Sequence, residues 1–183
     1  KKSVTVALFR SFCQAGNTIA MEKENTLLDE VVLVPKNLKS KVLGNTTQAQ
    51  NIIAGFESNM LGSELGIPIK IKESPTYIDN LIVSVVQNKY GAIKFRVNVY
   101  DYSENEPGKK INKENIIVET EIENGLFYID LRPYYLLVED DFLITLEWIE
   151  DLGKDGLFFS AALASGSIWA RQTSQAVWVK KKA

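Results

Sequence analysis

The segment Ile93–Asp101 alternates without a break: Ile93, Phe95, Val97 and Val99 are apolar, and Lys94, Arg96, Asn98 and Tyr100 stand between them. A period of two sends one set to a core and the other toward water or a ligand, so the segment predicts a half-buried strand. Phe142, Ile144, Leu146 and Trp148 repeat the pattern against Leu143, Thr145, Glu147 and Ile149. The two phases together place Phe95, Val97, Val99 and the Phe142–Trp148 set in one core between two sheets.

Most of the chain carries the same signature. Val4–Phe9 and Thr18–Met21 flank a Gly16-Asn17 turn and predict a hairpin, and the β-branched run Leu27–Val34 predicts a strand that Pro35 closes. Ile67, Ile69 and Ile71 alternate with Pro68 and Lys70, and the proline puts that strand on an edge or at its start. Thr76–Gln87 is apolar on both faces, as in a central strand or one bent by a bulge, and Asn88-Lys89-Tyr90-Gly91 turns after it. Ser103–Lys110 is a polar loop with Pro107-Gly108, and the 103–114 connection suits a crossing between sheets. Asn115–Glu121 and Leu126–Leu131 predict a hairpin through Asn124-Gly125. The strand from Phe142 predicts a second hairpin with Gly156–Leu163, and Ile168–Arg171 and Ala176–Lys180 close the chain. No segment holds a helical period over three turns.

Short, regularly spaced strands without alternating helices predict an all-β fold, a jelly-roll-like β-sandwich with an N-terminal β arm. The expected division is an arm over 1–35, a linker over 36–54 and a sandwich over 55–183. Three short strands are too few to bury a core of their own. The arm is therefore expected to pair with the sandwich of the same chain or with a second copy in a strand-exchanged dimer, covering Phe12 and Cys13 either way.

Composition narrows the function classes. At 183 residues a single core buries about 70% of the unfolded surface, so neither disulfide nor metal is needed for stability. Charge is balanced, with 21 basic against 23 acidic residues, which argues against a nucleic-acid binder or a polybasic membrane-surface protein. Histidine is absent, and with it the commonest general base, the usual zinc and copper ligand and the Ser-His-Asp triad. Cys13 is the single cysteine and fits a small core residue better than a reactive thiol. No apolar run approaches twenty residues, which leaves no expected membrane-spanning helix. The opening Lys1-Lys2-Ser3, without initiator Met or signal-peptide pattern, fits a trimmed or processed chain.

Several phrases carry a family likeness: Leu28-Asp29-Glu30-Val31-Val32, Leu61-Gly62-Ser63-Glu64-Leu65-Gly66, Ile93–Tyr100, Val138-Glu139-Asp140-Asp141-Phe142 and Leu146-Glu147-Trp148. They resemble bacterial envelope proteins in which a carboxypeptidase regulatory-like β-domain precedes a β-sandwich. The resemblance implies an exported protein of the periplasm or outer-membrane surface, whose first thirty-odd residues are the remnant of a preceding regulatory-like domain. That domain is non-catalytic, so the resemblance brings no active-site residue with it.

Two groups of residues have chemistry to offer. The acidic clusters Glu139-Asp140-Asp141 and Glu147-Glu150-Asp151-Asp155 read first as solvated turn acids, then as a site for a hard cation such as calcium, with Asp140, Asp141, Asp151 and Asp155 above all, and last as acid/base carboxylates, and Asp151–Asp155 lacks EF-hand spacing. Tyr100, Tyr102, Trp169 and Trp178 read first as rings that pack on or cover the sheet and second as rings that could stack on sugars, whereas Trp148 belongs to a core phase. No nucleophile elbow, phosphate loop or dinucleotide fingerprint is present. The leading expectation is a non-enzymatic interaction or structural module of a bacterial envelope, meeting an envelope protein or glycan. A carbohydrate-binding module is the alternative, and a hydrolase with paired carboxylates is a third reading.

Overall fold

The computed structural model describes residues 39–56, 60–151, 156–161 and 167–182. The chain divides after Ser40, and the unit Lys41–Ala183 is the one described below. The expected strands between Val4 and Val34, their hairpin, the Pro35 boundary and Cys13 lie outside the described residues.

Two antiparallel sheets enclose the core. The smaller has the order β1 (Ile53–Gly55), β11 (Leu157–Ser160), β4 (Asn80–Asn88), β8 (Gly125–Asp130). The larger runs β13 (Val179–Lys182), β12 (Ser167–Arg171), β2 (Glu64–Ile69), β10 (Phe142–Trp148), β5 (Ile93–Ser103), β6 (Glu106–Lys110), with β7 (Ile116–Thr120) also pairing with β5. A two-residue ladder joins β3 (Thr76–Tyr77) to β9 (Leu137–Val138), and Arg132–Tyr134 forms a single 3₁₀ turn. The protein is all-β, with one sheet curled as a half-barrel, in keeping with a β-sandwich. Among the described residues no helix is long and apolar enough to cross a membrane.

The organising alternation has a direct physical outcome. β10 lies antiparallel to β5 so that Trp148 faces Phe95, Leu146 faces Val97 and Ile144 faces Val99. All seven residues expected to share a core do so, joined from the opposite sheet by Val85, Ile129 and Phe159. Phe56 packs its ring 5.1 Å from that of Trp148, and Phe127 meets Phe95 edge-on at 6.2 Å, so aromatic contacts bridge the layers.

Several connections differ from expectation. The 103–114 segment does not cross between sheets: Glu104 and Asn105, at φ 55° and 62°, form a tight turn that returns β6 along β5. Asn124-Gly125 does not close a hairpin, because β7 belongs to the larger sheet and β8 pairs with β4 in the smaller. Gly125 still supplies a positive φ of 108°, used here to turn a corner between layers. The strand from Phe142 likewise does not pair with the one after Gly156, since β11 sits between β1 and β4. Pro68 lies in a strand with two neighbours, but β12 pairs only with Glu64, Leu65 and Gly66, so at Pro68 itself β2 is an edge. Across the expected linker end at residue 54, Ile53–Gly55 pairs with β11, and Leu43, inside the expected linker, packs against the core.

Candidate functional site

The second face of the larger sheet carries a row of charge. In the register of four adjacent strands Arg96 lies opposite Glu147, Glu147 opposite Glu64, and Glu64 opposite Arg171. Two carboxylates facing each other across a ladder repel. Here each is flanked on its outer side by a guanidinium, giving the order plus, minus, minus, plus. The next rung holds Asn98, Thr145 and Gly66, and a side chain at Gly66 would drive its first carbon into the Ile144 carbonyl oxygen.

Hydrogen bonds tie this row together. Asn98 Nδ2 donates 2.9 Å bonds to both Glu64 Oε1 and Glu147 Oε2, which holds the two carboxylates no further apart than the sum of those bonds. Glu64 also accepts from the Thr145 hydroxyl, from Arg171 Nε at 2.7 Å and from the Tyr100 hydroxyl at 3.3 Å. Glu147 accepts from Arg96 Nη1 at 3.0 Å and from Ser174 Oγ at 2.7 Å. The Glu64 and Glu147 residues are only 1% and 4% exposed, so both are buried charges balanced by protein donors. Asn98 Oδ1 and Arg96 Nε, by contrast, are buried without a partner among the described residues.

Electrostatics follow from this geometry. Burial pushes the Glu147 carboxyl up, but the bonds from Asn98, Ser174 and Arg96 outweigh it and hold the group below the usual carboxylate range. Burial, reinforced by the Glu64 charge, raises the Tyr100 phenol well above its ordinary value. Lys110, opposite Tyr100 on β6, is lowered by burial and by the Arg96 charge. A shallow depression of about 520 Å³ opens beside the row, with Gly62, Arg96, Glu147, Thr173 and Ser174 in its walls.

The four aromatic candidates do come together. Tyr100, Tyr102 and Trp169 are buried around Leu143, and the half-buried Trp178 packs against them. They form no coplanar exposed row: Tyr100 and Trp178 meet at 79°, Tyr102 and Trp169 at 72°. Arg171 lies 4.4 Å over the Trp178 ring, and Trp169 Nε1 donates to the Tyr102 hydroxyl. Tyr100 and Trp178 lie against the Glu64–Arg171 end of the charged row, through the Tyr100 hydroxyl and the guanidinium over both rings.

The acidic candidates are separated. Asp140 and Asp141 precede β10 and line a depression of about 800 Å³ with Asp101, Glu139 and Glu73, where Asp141 Oδ1 accepts the Ile71 amide. Asp151 follows the far end of β10, roughly 20 Å away at about 3.3 Å per residue. No single ion can reach both ends. Asp155 lies outside the described residues, and among the described ones no three metal-binding side chains converge.

Glu64, Asn98 and Arg171 were not among the residues that sequence singled out. Polar residues in the non-core phase of two strands, Asn98 in one and Thr145 and Glu147 in the other, were the available signal. It lacked the strand order that makes them neighbours. No protein-family model, curated protein or solved structure matches the chain, so the class that fold and site define is an all-β sandwich with a buried ionic row.

Proposed function

We propose that the chain is a non-enzymatic, exported β-sandwich that serves as an interaction or structural module of a bacterial cell envelope. The observation that carries the non-enzymatic part is the state of Glu64 and Glu147. They are close enough for two-carboxylate glycoside chemistry, which uses separations of about 5 to 10 Å. Yet Glu64 accepts from Asn98, Thr145, Tyr100 and Arg171, and Glu147 from Arg96, Asn98 and Ser174. Most of their acceptor capacity is taken up by protein donors, and Glu64 lines neither depression, whereas a general acid must reach its substrate. Export and the envelope setting are supported by the sequence phrases that resemble envelope proteins.

A carbohydrate-binding role is the second reading, favoured by the gathering of Tyr100, Tyr102, Trp169 and Trp178 on one face. Incubating the full chain with chromogenic glycosides and probing it on a glycan array separates the readings. The expected result is no turnover and no glycan signal, with retention of the protein by envelope protein fractions. Glycan binding lost in Trp178→Ala would replace the leading reading with the second. Turnover lost in Glu147→Gln would make the protein an enzyme and overturn both.

A further inference from the structure

The charged row leaves most of Arg96 unused. Of its guanidinium only Nη1 is engaged, donating to Glu147 at 3.0 Å. Nε is buried without a partner, whereas Nη2, also without one among the described residues, is open to solvent. A buried donor left unpaired costs free energy, and the Nε–Nη2 edge of a guanidinium is the fork that takes both oxygens of an oxyanion. The fork stands on a fixed base. Arg96 sits inside β5 with Glu147 of β10 on one side of the ladder and Ile117 of β7 on the other.

Arg96 also lines the depression beside the row, whose volume of about 520 Å³ falls within the range of about 300 to 1,000 Å³ usual for small-ligand sites. One wall is a turn tied down at both ends: Ser174 Oγ donates to Glu147, and the Ala176 amide donates 3.0 Å to the Thr173 carbonyl. Thr173 brings a hydroxyl to this wall and Gln175 a side-chain amide, both on exposed residues. The exposed Leu61 and the half-buried Ile149 add apolar surface to the same depression. Polar donors and an apolar lip thus meet in one place.

Charge selects the kind of molecule. The Glu147 and Glu64 carboxylates are matched by Arg96 and Arg171. Lys110 lies in the field of all four groups and forms no ion pair with either carboxylate, so this face carries one positive charge in excess. We infer that the depression at Arg96 binds a monocarboxylate with a short apolar body, its carboxylate on the Nε–Nη2 edge and its body against Leu61 and Ile149. Glu147 engages Nη1, which leaves Arg96 between the two carboxylates, and Lys110 supplies the balancing charge. A free organic acid and the C-terminus of a peptide share this chemistry.

The test titrates the full chain at constant ionic strength with butyrate and, separately, with acetyl-Ala-Val and its C-terminal amide, following arginine Nε–H and backbone amide signals by NMR. Saturating shifts are expected at the Arg96 Nε–H and at the Thr173–Gln175 amides with butyrate and the peptide acid, and none with the peptide amide. The tighter of the two acids identifies the source. Arg96→Lys keeps a charge for Glu147 but lacks the fork, and should weaken binding about tenfold or more. Leu61→Asp, which leaves the row itself untouched and so spares the fold, should weaken it as much by setting a negative charge on the lip. The absence of a saturable shift at the Arg96 Nε–H overturns the inference. So does reproduction of the shifts by chloride, binding of the peptide amide, or butyrate affinity unchanged in both variants.

Discussion

The two faces of the larger sheet are made by the same strands, and both are buried, but by opposite means. On one, Phe95, Val97, Val99, Ile144, Leu146 and Trp148 meet the second sheet as an apolar layer. On the other, Arg96, Asn98, Thr145, Glu147 and Glu64 lie beneath the chain that returns from β12, with Ser174 bonded to Glu147 and Trp178 packed on Tyr100 and Arg171. Burial of the first is driven by transfer of apolar area from water. The second must offset the desolvation of four charges through mutual attraction and hydrogen bonds, which makes it sensitive to the loss of any one partner. An apolar face tolerates imperfection in proportion to volume. A charged one fails when its neutrality is broken.

The contrast can be broken first on the apolar side. Trp148→Ala should destabilise by about 3 to 5 kcal/mol in denaturant unfolding, because it leaves a cavity among Phe56, Tyr90 and Phe95. A loss below about 1 kcal/mol would mean that the ring is not a core element.

The charged side offers a sharper comparison. Glu64→Ala, leaving Arg171 without its buried partner, should cost about 3 to 5 kcal/mol, whereas the paired replacement Glu64→Leu with Arg171→Met should cost far less or stabilise. Equal losses in the single and double variants would show that Glu64 contributes shape rather than neutralisation.

Glu147→Gln keeps the shape and removes the charge that Arg96 and Ser174 engage, so a loss of about 1.5 to 3 kcal/mol at neutral pH is expected. Since the folded carboxyl is held below its ordinary range, its stabilisation is fully present above the unfolded carboxyl's pKa, near 4.5, and fades as pH falls through the lowered folded value. Stability measured from pH 7 downward should therefore fall less steeply in the variant than in the wild type.

The smallest effect is spectroscopic. With its folded pKa raised, Tyr100 should keep its proton where exposed tyrosines ionise near pH 10, and ultraviolet titration of Tyr100→Phe should reproduce the wild-type step at that pH. A step reduced by one tyrosine would show that the phenol is solvated. The linkage runs the other way from Glu147: an unfolded chain releases this proton first, so the Tyr100 contribution fades as pH rises above about 10.

How much was legible in the sequence can be followed through single strands. In β5 the alternation identified both the strand and its core residues, because side-chain direction is a local property with a period of two. Trp148 was assigned to the core on the same ground. Asn124-Gly125 shows where local signals stop: it specifies a sharp turn, but whether the chain folds back along the same sheet or steps to the other depends on where β4 waits for a partner. Tyr100 shows it again. Its phase points away from the core, and what covers it there is a segment seventy residues later that no local pattern names.

By itself the sequence determined that the chain is all-β, which residues face the central core, and that histidine-based chemistry is absent. Those follow from backbone geometry and composition, which act at each position independently. Only the tertiary structure decided the strand order, and with it that Arg96, Glu147, Glu64 and Arg171 form one row, that Asp140 and Asp151 stand at opposite ends of a strand, and that the aromatic side chains of the second face turn edge-on as a cover. Long-range pairing selects among neighbours that the local code leaves equivalent. A carboxylate's partners are set by that choice: Glu64 is a buried charge because β12 lies beside β2, bringing in Arg171 from more than a hundred residues away.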